Sequence, residues 1–356
     1  MKHNFNAGPS ILPKEVFEEA SRAIVDFNNT GLSILEIGHR TPLFEAVMDE
    51  AVSLVKELMK LSPDKEVLFL HGGASTQFFQ VPMNFLSQEK KAAYLDCGVW
   101  GTKAIKEAKL FGQVHVVGSS SDKNYTYIPH GYDVPNDAAY FHYTTNNTIE
   151  GTQMHSIPQC NVPLIADMSS DILSRDLDFN QFDFIYAGAQ KNIGAAGVNL
   201  VVVDKDFLLK ANQHLPSMMD YRVHVVNGSM LNTPPVFAIY VCLLTLRWLK
   251  KLGGIPAIEK LNKQKASLLY TTLEKSSLFH LPVHQEDRSL MNAVFTMTDA
   301  SLEKDFLLLC KREGMIGIEG HRNVGGFRVS MYNAMPMSSV EALTELINEF
   351  INKYSS

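Results

Sequence analysis

The sequence predicts an α/β protein: a mostly parallel, seven-stranded sheet with helices on both faces, joined to a smaller C-terminal α+β domain. Three observations carry this. Short apolar runs recur between turn signals from Glu66 to Asp204, most of them lacking the polar alternation of a half-wetted strand. Helical patterns fill several of the gaps. After Gly253-Gly254 the pattern changes to strand, helix, two strands and helix.

The chain opens with a helical pattern from Pro13 to Asn28. The strand-like runs are Val67 to Leu70, Ala92 to Leu95, Val114 to Val117, Ala139 to Tyr143, Pro163 to Ala166, Phe182 to Ala187 and Val198 to Val203, with helices expected over Thr76 to Leu86 and Gly101 to Phe111. Only about ten residues separate Ala187 from Val198, fewer than a parallel crossover needs, so the last strand is expected to run antiparallel. Asn199 is polar within that otherwise apolar strand. Pro234-Pro235 then opens an apolar helix, with Asn232 or Thr233 placed to cap it and Gly253-Gly254 to stop it. The large domain is therefore expected over residues 15–254, and the small one over 255–356 with the N-terminal arm 1–14. The small domain should hold strands at Asn292 to Thr298, Met315 to Glu319 and Gly326 to Tyr332, and a helix at Leu302 to Arg312. Its terminal helix should start at a capping box, Ser338-x-x-Glu341.

Composition bounds the function. With 356 residues, 46% of them apolar and 20% charged, the chain has material for a large core. Its 32 basic and 38 acidic residues give a net charge of −6, and the basic ones are scattered, so no nucleic-acid footprint is expected. The start lacks the apolar core of a signal peptide, and the densest apolar run, Val236 to Leu246, is cut short by Arg247. Neither secretion nor membrane insertion is expected. Cys97, Cys160, Cys242 and Cys310 form no Cys-x-x-Cys pair, which argues against a disulfide framework or a zinc site and for a reducing cytoplasm.

One stretch points to chemistry. Phe182 to Ala187 is an apolar strand that delivers Lys191 into a turn of small residues, Ala-Gly-Ala-Gln-Lys-Asn-Ile-Gly. Partial desolvation there lowers the ammonium pKa and frees the amine to attack an aldehyde. Pro163-Leu-Ile-Ala-Asp167 ends another strand on a carboxylate, at the strand end where open α/β sheets bind ligands. A buried carboxylate needs a cation, and the protonated pyridine nitrogen of pyridoxal phosphate is one. The plainer reading of Asp167 is a cap on the next turn through Ser169 or Ser170. Gly72-Gly73-Ala74-Ser75, between a strand and a helix start, is either a tight turn or a phosphate cradle built from backbone amides. Trp100, one of two tryptophans, follows the next strand and either packs in the core or stacks on a flat ring.

Together these segments resemble the phosphoserine aminotransferase family, in the class V group of the fold-type I pyridoxal-phosphate enzymes. The resemblance runs from Phe5-Asn-Ala-Gly-Pro-Ser10 to Tyr332-Asn-Ala-Met-Pro336, with Ala189-Gln-Lys-Asn-Ile-Gly194 and Gly320-His-Arg-Asn-Val-Gly-Gly-Phe-Arg328 as its most specific parts. It implies that Lys191 carries the cofactor as a Schiff base and that Asp167 pairs with the pyridine nitrogen. Trp100 would stack on the ring, Thr148 would lie near its hydroxyl, and Ala74, Ser75 and Gln190 would hold the phosphate. Asn232 and Thr233 would reach the phosphate of a neighbouring subunit, so the resemblance implies a homodimer with shared sites. The family reaction moves an amino group between phosphoserine plus 2-oxoglutarate and 3-phosphohydroxypyruvate plus glutamate, and some members also serve a phosphorylated hydroxythreonine on the route to vitamin B6.

Such substrates carry two anionic ends, for which arginine forks are suited. The resemblance assigns the α-carboxylate to Arg328 and the distal anion to His39, Arg40, His321 and Arg322, with Ser10 beside the substrate. Some members carry Arg where this chain has Ser75 and use it on the substrate phosphate; others share the Gly-Gly-Ala-Ser form. Two related readings remain. A cysteine desulfurase needs a reactive thiol on a mobile loop, whereas Cys242 and Cys310 sit in apolar helical patterns. An aminotransferase for alanine or serine would have no use for the doubled Gly-His-Arg. A nicotinamide dehydrogenase would want Gly-x-Gly-x-x-Gly after the first strand, which the sequence lacks, and a cofactor-sensing regulator would want a DNA-binding module.

Overall fold

Six of the seven strands of the large sheet are buried on both faces or nearly so, which dictates a sheet covered on two sides. The computed structural model describes residues 2–322 and 324–354. Met1, Asn323 of the second Gly-His-Arg segment, Ser355 and Ser356 lie outside the described residues.

The elements are, in order, β1 (His3–Asn4), α1 (Lys14–Val25), α2 (Pro42–Leu58), β2 (Lys65–His71), α3 (Ala74–Phe85), β3 (Lys91–Asp96), α4 (Val99–Ala108), β4 (Gln113–Ser119) and β5 (Phe141–Thr144). Next come β6 (Asn146–Asn147), β7 (Thr152–Gln153), β8 (Leu164–Asp167), β9 (Phe184–Gly188), β10 (Val198–Asp204), α5 (Lys205–Leu208), α6 (Tyr221–Val226), α7 (Val236–Lys251) and α8 (Gly254–Leu273). The chain finishes with β11 (Phe279–His280), β12 (Asn292–Met297), α9 (Glu303–Arg312), β13 (Met315–Ile316), β14 (Phe327–Ser330) and α10 (Met337–Tyr354).

The large sheet has seven strands in the order β2-β10-β9-β8-β5-β3-β4. β10 runs antiparallel to both its neighbours, as its short connection demands, and the remaining pairings are parallel. Strand residues alternate between two cores. Val67, Phe69, Leu164, Ala166, Ile185 and Ala187 pack with α1, α2 and α7, whereas Leu68, Leu70, Ile165, Phe184 and Tyr186 pack with α3 and α4. A third core joins Phe5 of the arm to α8, β12, α9, β14 and α10. The parallel pairing of β1 with β13 fixes the arm there, and α8 gives Ile255 and Ile258 to the first core and Leu269 and Leu273 to the third.

Several local expectations need correction. β4, expected as a buried run, is the sheet's edge, and His115 and Val116 are exposed because nothing pairs beyond it. Neither Asn232 nor Thr233 caps α7: its N-cap is Pro235, with no side-chain cap, and His71 Nε2 donates to the Thr233 carbonyl at 2.8 Å. Ser338 lies inside α10, which begins at Met337, so it cannot be that helix's N-cap. Asn199 is fully buried opposite Leu70 and Gly188, with no partner for either amide atom among the described residues, and nothing in the structure explains it.

Candidate active site

Five strands of the large sheet point their carboxyl ends at one cleft of about 400 Å³. Each end delivers a different group. β8 stops at Asp167, and β5 leads through β6 to Thr148. Past the end of β3, Gly98 opens α4, which carries Trp100 in its first turn. β2 leads into the glycine turn: Gly72 takes φ +93°, and its N–H donates to the Gly197 carbonyl at 3.1 Å. Gly73 is then the N-cap of α3 and supplies no side chain, which leaves the N–H groups of Ala74 and Ser75 at a bare helix N-terminus.

β9 delivers the lysine. Beyond Gly188 the chain turns tightly, with Ile193 N–H and Gly194 N–H both donating to the Ala189 carbonyl at 3.3 and 2.9 Å. Lys191 projects from this turn; its stem keeps some surface open to the cleft while its amine is enclosed. Its Nζ donates to Thr148 Oγ1 at 2.7 Å and lies 5.4 Å from the centre of the Trp100 ring. Burial pulls its pKa down to about 8, with Asp167 opposing the shift and Arg328 adding to it. The N-terminal arm closes the back of the turn. Ser10 N–H donates to the Gln190 carbonyl at 2.9 Å, and Ser10 Oγ donates to the Lys191 carbonyl.

Asp167 is buried, and burial raises its carboxyl pKa, while hydrogen bonds from Ser169 and the charge of Lys191 act the other way. Arg328 enters from β14, half-buried, with its Nε enclosed and unpartnered among the described residues; NH1 reaches the Thr148 carbonyl at a long 3.5 Å. A buried guanidinium this poorly satisfied is built for an anion. His321 lines the same cleft, and its pKa is lowered by burial, then by Arg328, Arg322 and Lys103.

The structure thus brings Ala74, Ser75, Trp100, Thr148, Asp167, Gln190, Lys191, His321 and Arg328 to one cleft. It does not bring Ser10, Asn232, Thr233, His39, Arg40 or Arg322 to its wall. Thr233, Arg40 and Arg322 are exposed, and Asn232 lines a smaller pocket with His71. Reasoning from sequence missed Gly8, where an added Cβ would sit 3.4 Å from Lys191 Cγ, and undervalued Ser169. The glycine of Asn-Ala-Gly-Pro was the signal for the first.

Comparison with known proteins agrees with this geometry. The aminotransferase class-V family profile matches residues 2–343. The chain belongs to the class V aminotransferases. A phosphoserine aminotransferase of Flavobacterium johnsoniae is 55% identical over 99% of either chain, and one of Phocaeicola vulgatus 53% identical over 98%. Among solved structures, a phosphoserine aminotransferase of Bacillus circulans subsp. alkalophilus superposes with a TM-score of 0.97 at 44% identity, covering 99% of both chains. That of Trichomonas vaginalis, with pyridoxal phosphate bound, gives 0.93 at 35%, covering 98% of this chain and 100% of that one.

Pyridoxal phosphate is the cofactor, and the residues present fit it: an enclosed lysine amine, a buried carboxylate needing a cation, bare amides at a helix start and an indole whose Nε1 is buried without a partner among the described residues. No activated thiol is found among the described residues: Cys160 is half-buried, and burial raises its pKa. Cys97, Cys242 and Cys310 are buried, and burial pushes each thiol up to about 12. Among the described residues no helix is long and apolar enough to cross a membrane.

Proposed function

We propose that this enzyme interconverts O-phospho-L-serine plus 2-oxoglutarate and 3-phosphohydroxypyruvate plus L-glutamate, within serine biosynthesis in the cytoplasm. The observation that carries the reading is the near-complete, 55%-identical match to a phosphoserine aminotransferase, on a cleft with a lysine amine and an unsatisfied arginine.

In this reading Lys191 holds the cofactor, Asp167 faces its pyridine nitrogen and Trp100 covers its ring. Thr148 lies beside the ring hydroxyl, while Ala74, Ser75 and Gln190 hold the phosphate. When bound, the cofactor accepts electrons from the substrate's Cα bond. Everything else falls to the chain. Arg328 fixes the substrate α-carboxylate and so orients the Cα–H bond. Lys191 Nζ, held by Thr148 Oγ1, takes the Cα proton as general base, and a pKa near 8 suits that task. The distal anion goes to His321 and Arg322 with His39 and Arg40, beside Ser10.

His39, Arg40, Asn232 and Thr233 lie off the cleft of their own chain, and exposed Leu32, Leu35 and Leu43 flank the first Gly-His-Arg. Both facts support a homodimer in which these residues complete the partner's site. Two domains, dividing near Gly254, are consistent with the separate cores. The test is to mix the enzyme with phosphoserine, glutamate, alanine or serine in turn and follow the cofactor's visible absorbance. Conversion by phosphoserine and glutamate is expected. Conversion by alanine but not by phosphoserine would sink the substrate assignment.

A further inference from the structure

We propose that Ser169 is a positioning residue that keeps Asp167 available as an anion for the cofactor's ring nitrogen, by tying one carboxylate oxygen to the strand that carries the lysine. The inference rests on the cofactor placement proposed above and goes beyond it.

The geometry is a three-membered chain. Gly188, the last residue of β9, donates its N–H to Ser169 Oγ at 3.1 Å. Ser169 Oγ donates in turn to Asp167 Oδ1 at 2.6 Å, and the Ser169 backbone N–H donates to that same oxygen at 2.9 Å. Both side chains are buried and line the cleft. The Gly188 N–H can only donate, so the hydroxyl oxygen accepts from it, and the hydroxyl proton goes to the carboxylate oxygen of Asp167. Linked donors of this kind polarise one another. Ser170 differs: its hydroxyl donates to the Asn146 carbonyl at 2.8 Å and receives Asn146 Nδ2 at 2.8 Å, leaving nothing for Asp167.

A carboxyl this deeply buried is pushed toward its neutral form, and a neutral acid offers no charge to a protonated ring nitrogen. The titratable groups around Asp167 do not decide the balance alone. Lys191 favours the anion and Asp171 opposes it. The Asp171 charge is itself shared with Arg175 at 3.3 Å, Gln153 at 3.1 Å and Thr145. On the strand side Tyr186 is a neutral phenol bonded to His142 at 2.8 Å, and burial draws that imidazole down to about 3, so it carries no charge near neutrality. The two donors of Ser169 are therefore the direct protein contacts that hold Oδ1 as an anion. They leave the other oxygen for the ligand, and Ser169 also fixes the distance between Asp167 on β8 and the turn of Lys191.

The test uses cofactor-stripped enzyme, with pyridoxal phosphate uptake measured across pH by quenching of tryptophan fluorescence, for wild type, Ser169→Ala, Ser169→Thr and Asp167→Asn. Loss of a charge-assisted donor at Ser169→Ala should weaken uptake about 10- to 100-fold at neutral pH. It should also move the acid limb of the uptake profile to higher pH. Ser169→Thr, which keeps the hydroxyl, should restore the wild-type profile, and Asp167→Asn should lose the part of the acid limb that shifts in Ser169→Ala, keeping only the part set by protonation of the Lys191 amine. A Ser169→Ala profile superimposable on wild type would overturn the role of Ser169 while leaving the site assignment standing. Wild-type enzyme that takes up no cofactor would overturn the site assignment and this inference with it.

Discussion

Arg328 shows how much one side chain can be asked to do. Its guanidinium is half-buried, its pKa is drawn down by that burial, and its bond to Thr148 is long. Arg328→Lys keeps the charge but loses the planar fork that matches a carboxylate. Steady-state kinetics should therefore show KM for phosphoserine and for 2-oxoglutarate rising together, by about 10- to 100-fold, since both substrates present an α-carboxylate. A rise for only one of them would remove Arg328 from the α-carboxylate that the two substrates share. Lys191→Ala should abolish cofactor fixed by borohydride reduction, read by mass spectrometry; fixation surviving in that variant would remove Lys191 from the centre of the site. At this scale the sequence was legible where an apolar strand ends on one polar residue, as at Asp167, or delivers it into a small-residue turn, as at Lys191. It was less so at Ser169, whose dual hydrogen bonding depends on β9 lying beside β8, a pairing that local pattern does not encode. His39 and Arg40 lie off the cleft of their own chain, and local pattern gives no sign of that.

At the scale of elements, the lysine turn depends on how closely α7 approaches it. A Cβ at Gly194 would meet Cys242 Sγ at 2.4 Å and the Cys242 backbone at 3.2 Å. Gly194→Ala must therefore push α7 away from the turn that projects Lys191, at a cost of about 1–3 kcal/mol. Urea denaturation should show that loss of stability. A cavity-opening partner change, Cys242→Ala, should recover part of it in the double variant, because the two sites share one contact. Additive losses would show that the helix and the turn are not coupled there. Strand identity was readable from apolar runs, and the antiparallel β10 from the shortness of its connection. Helix caps were not, since α7 and α10 begin beside prolines and the side chains expected to cap them have other positions: Asn232 lies beside His71, and Ser338 sits inside the helix.

Across the whole molecule, Lys265 joins the two ends of the design. From α8, which contributes to both the first and third cores, its Nζ donates to the carbonyls of Met331 at 3.1 Å and Tyr332 at 2.8 Å. The next residue, Asn333, donates its N–H to Asn192 Oδ1 at 2.9 Å, immediately beside Lys191. Lys265 is 1% exposed, and burial with no charged partner lowers its pKa from 10.5 to about 7. Two N–H donors meeting two carbonyls is the pattern of an uncharged amine. The sign of its linkage follows. Below pH 7 the folded and unfolded chains both bind the proton, and the burial penalty is fully present. Between about pH 7 and 10.5 the unfolded chain binds more protons, so stability rises with pH, by a few kcal/mol on the order of magnitude. Lys265→Met removes that contribution and leaves two carbonyls without their donor, at about 1–3 kcal/mol each. The stability of wild type minus that of Lys265→Met should accordingly rise from pH 7 to pH 9.5. The measurement is urea denaturation of the cofactor-free enzyme at one protein concentration, because any association between chains would shift both curves. Lys191 titrates in the same window but is common to both proteins, so the difference isolates Lys265. A gap that stays constant between the two pH values would mean that Lys265 keeps its charge in the folded enzyme, and the uncharged clamp between the small core and the lysine turn would have to be given up.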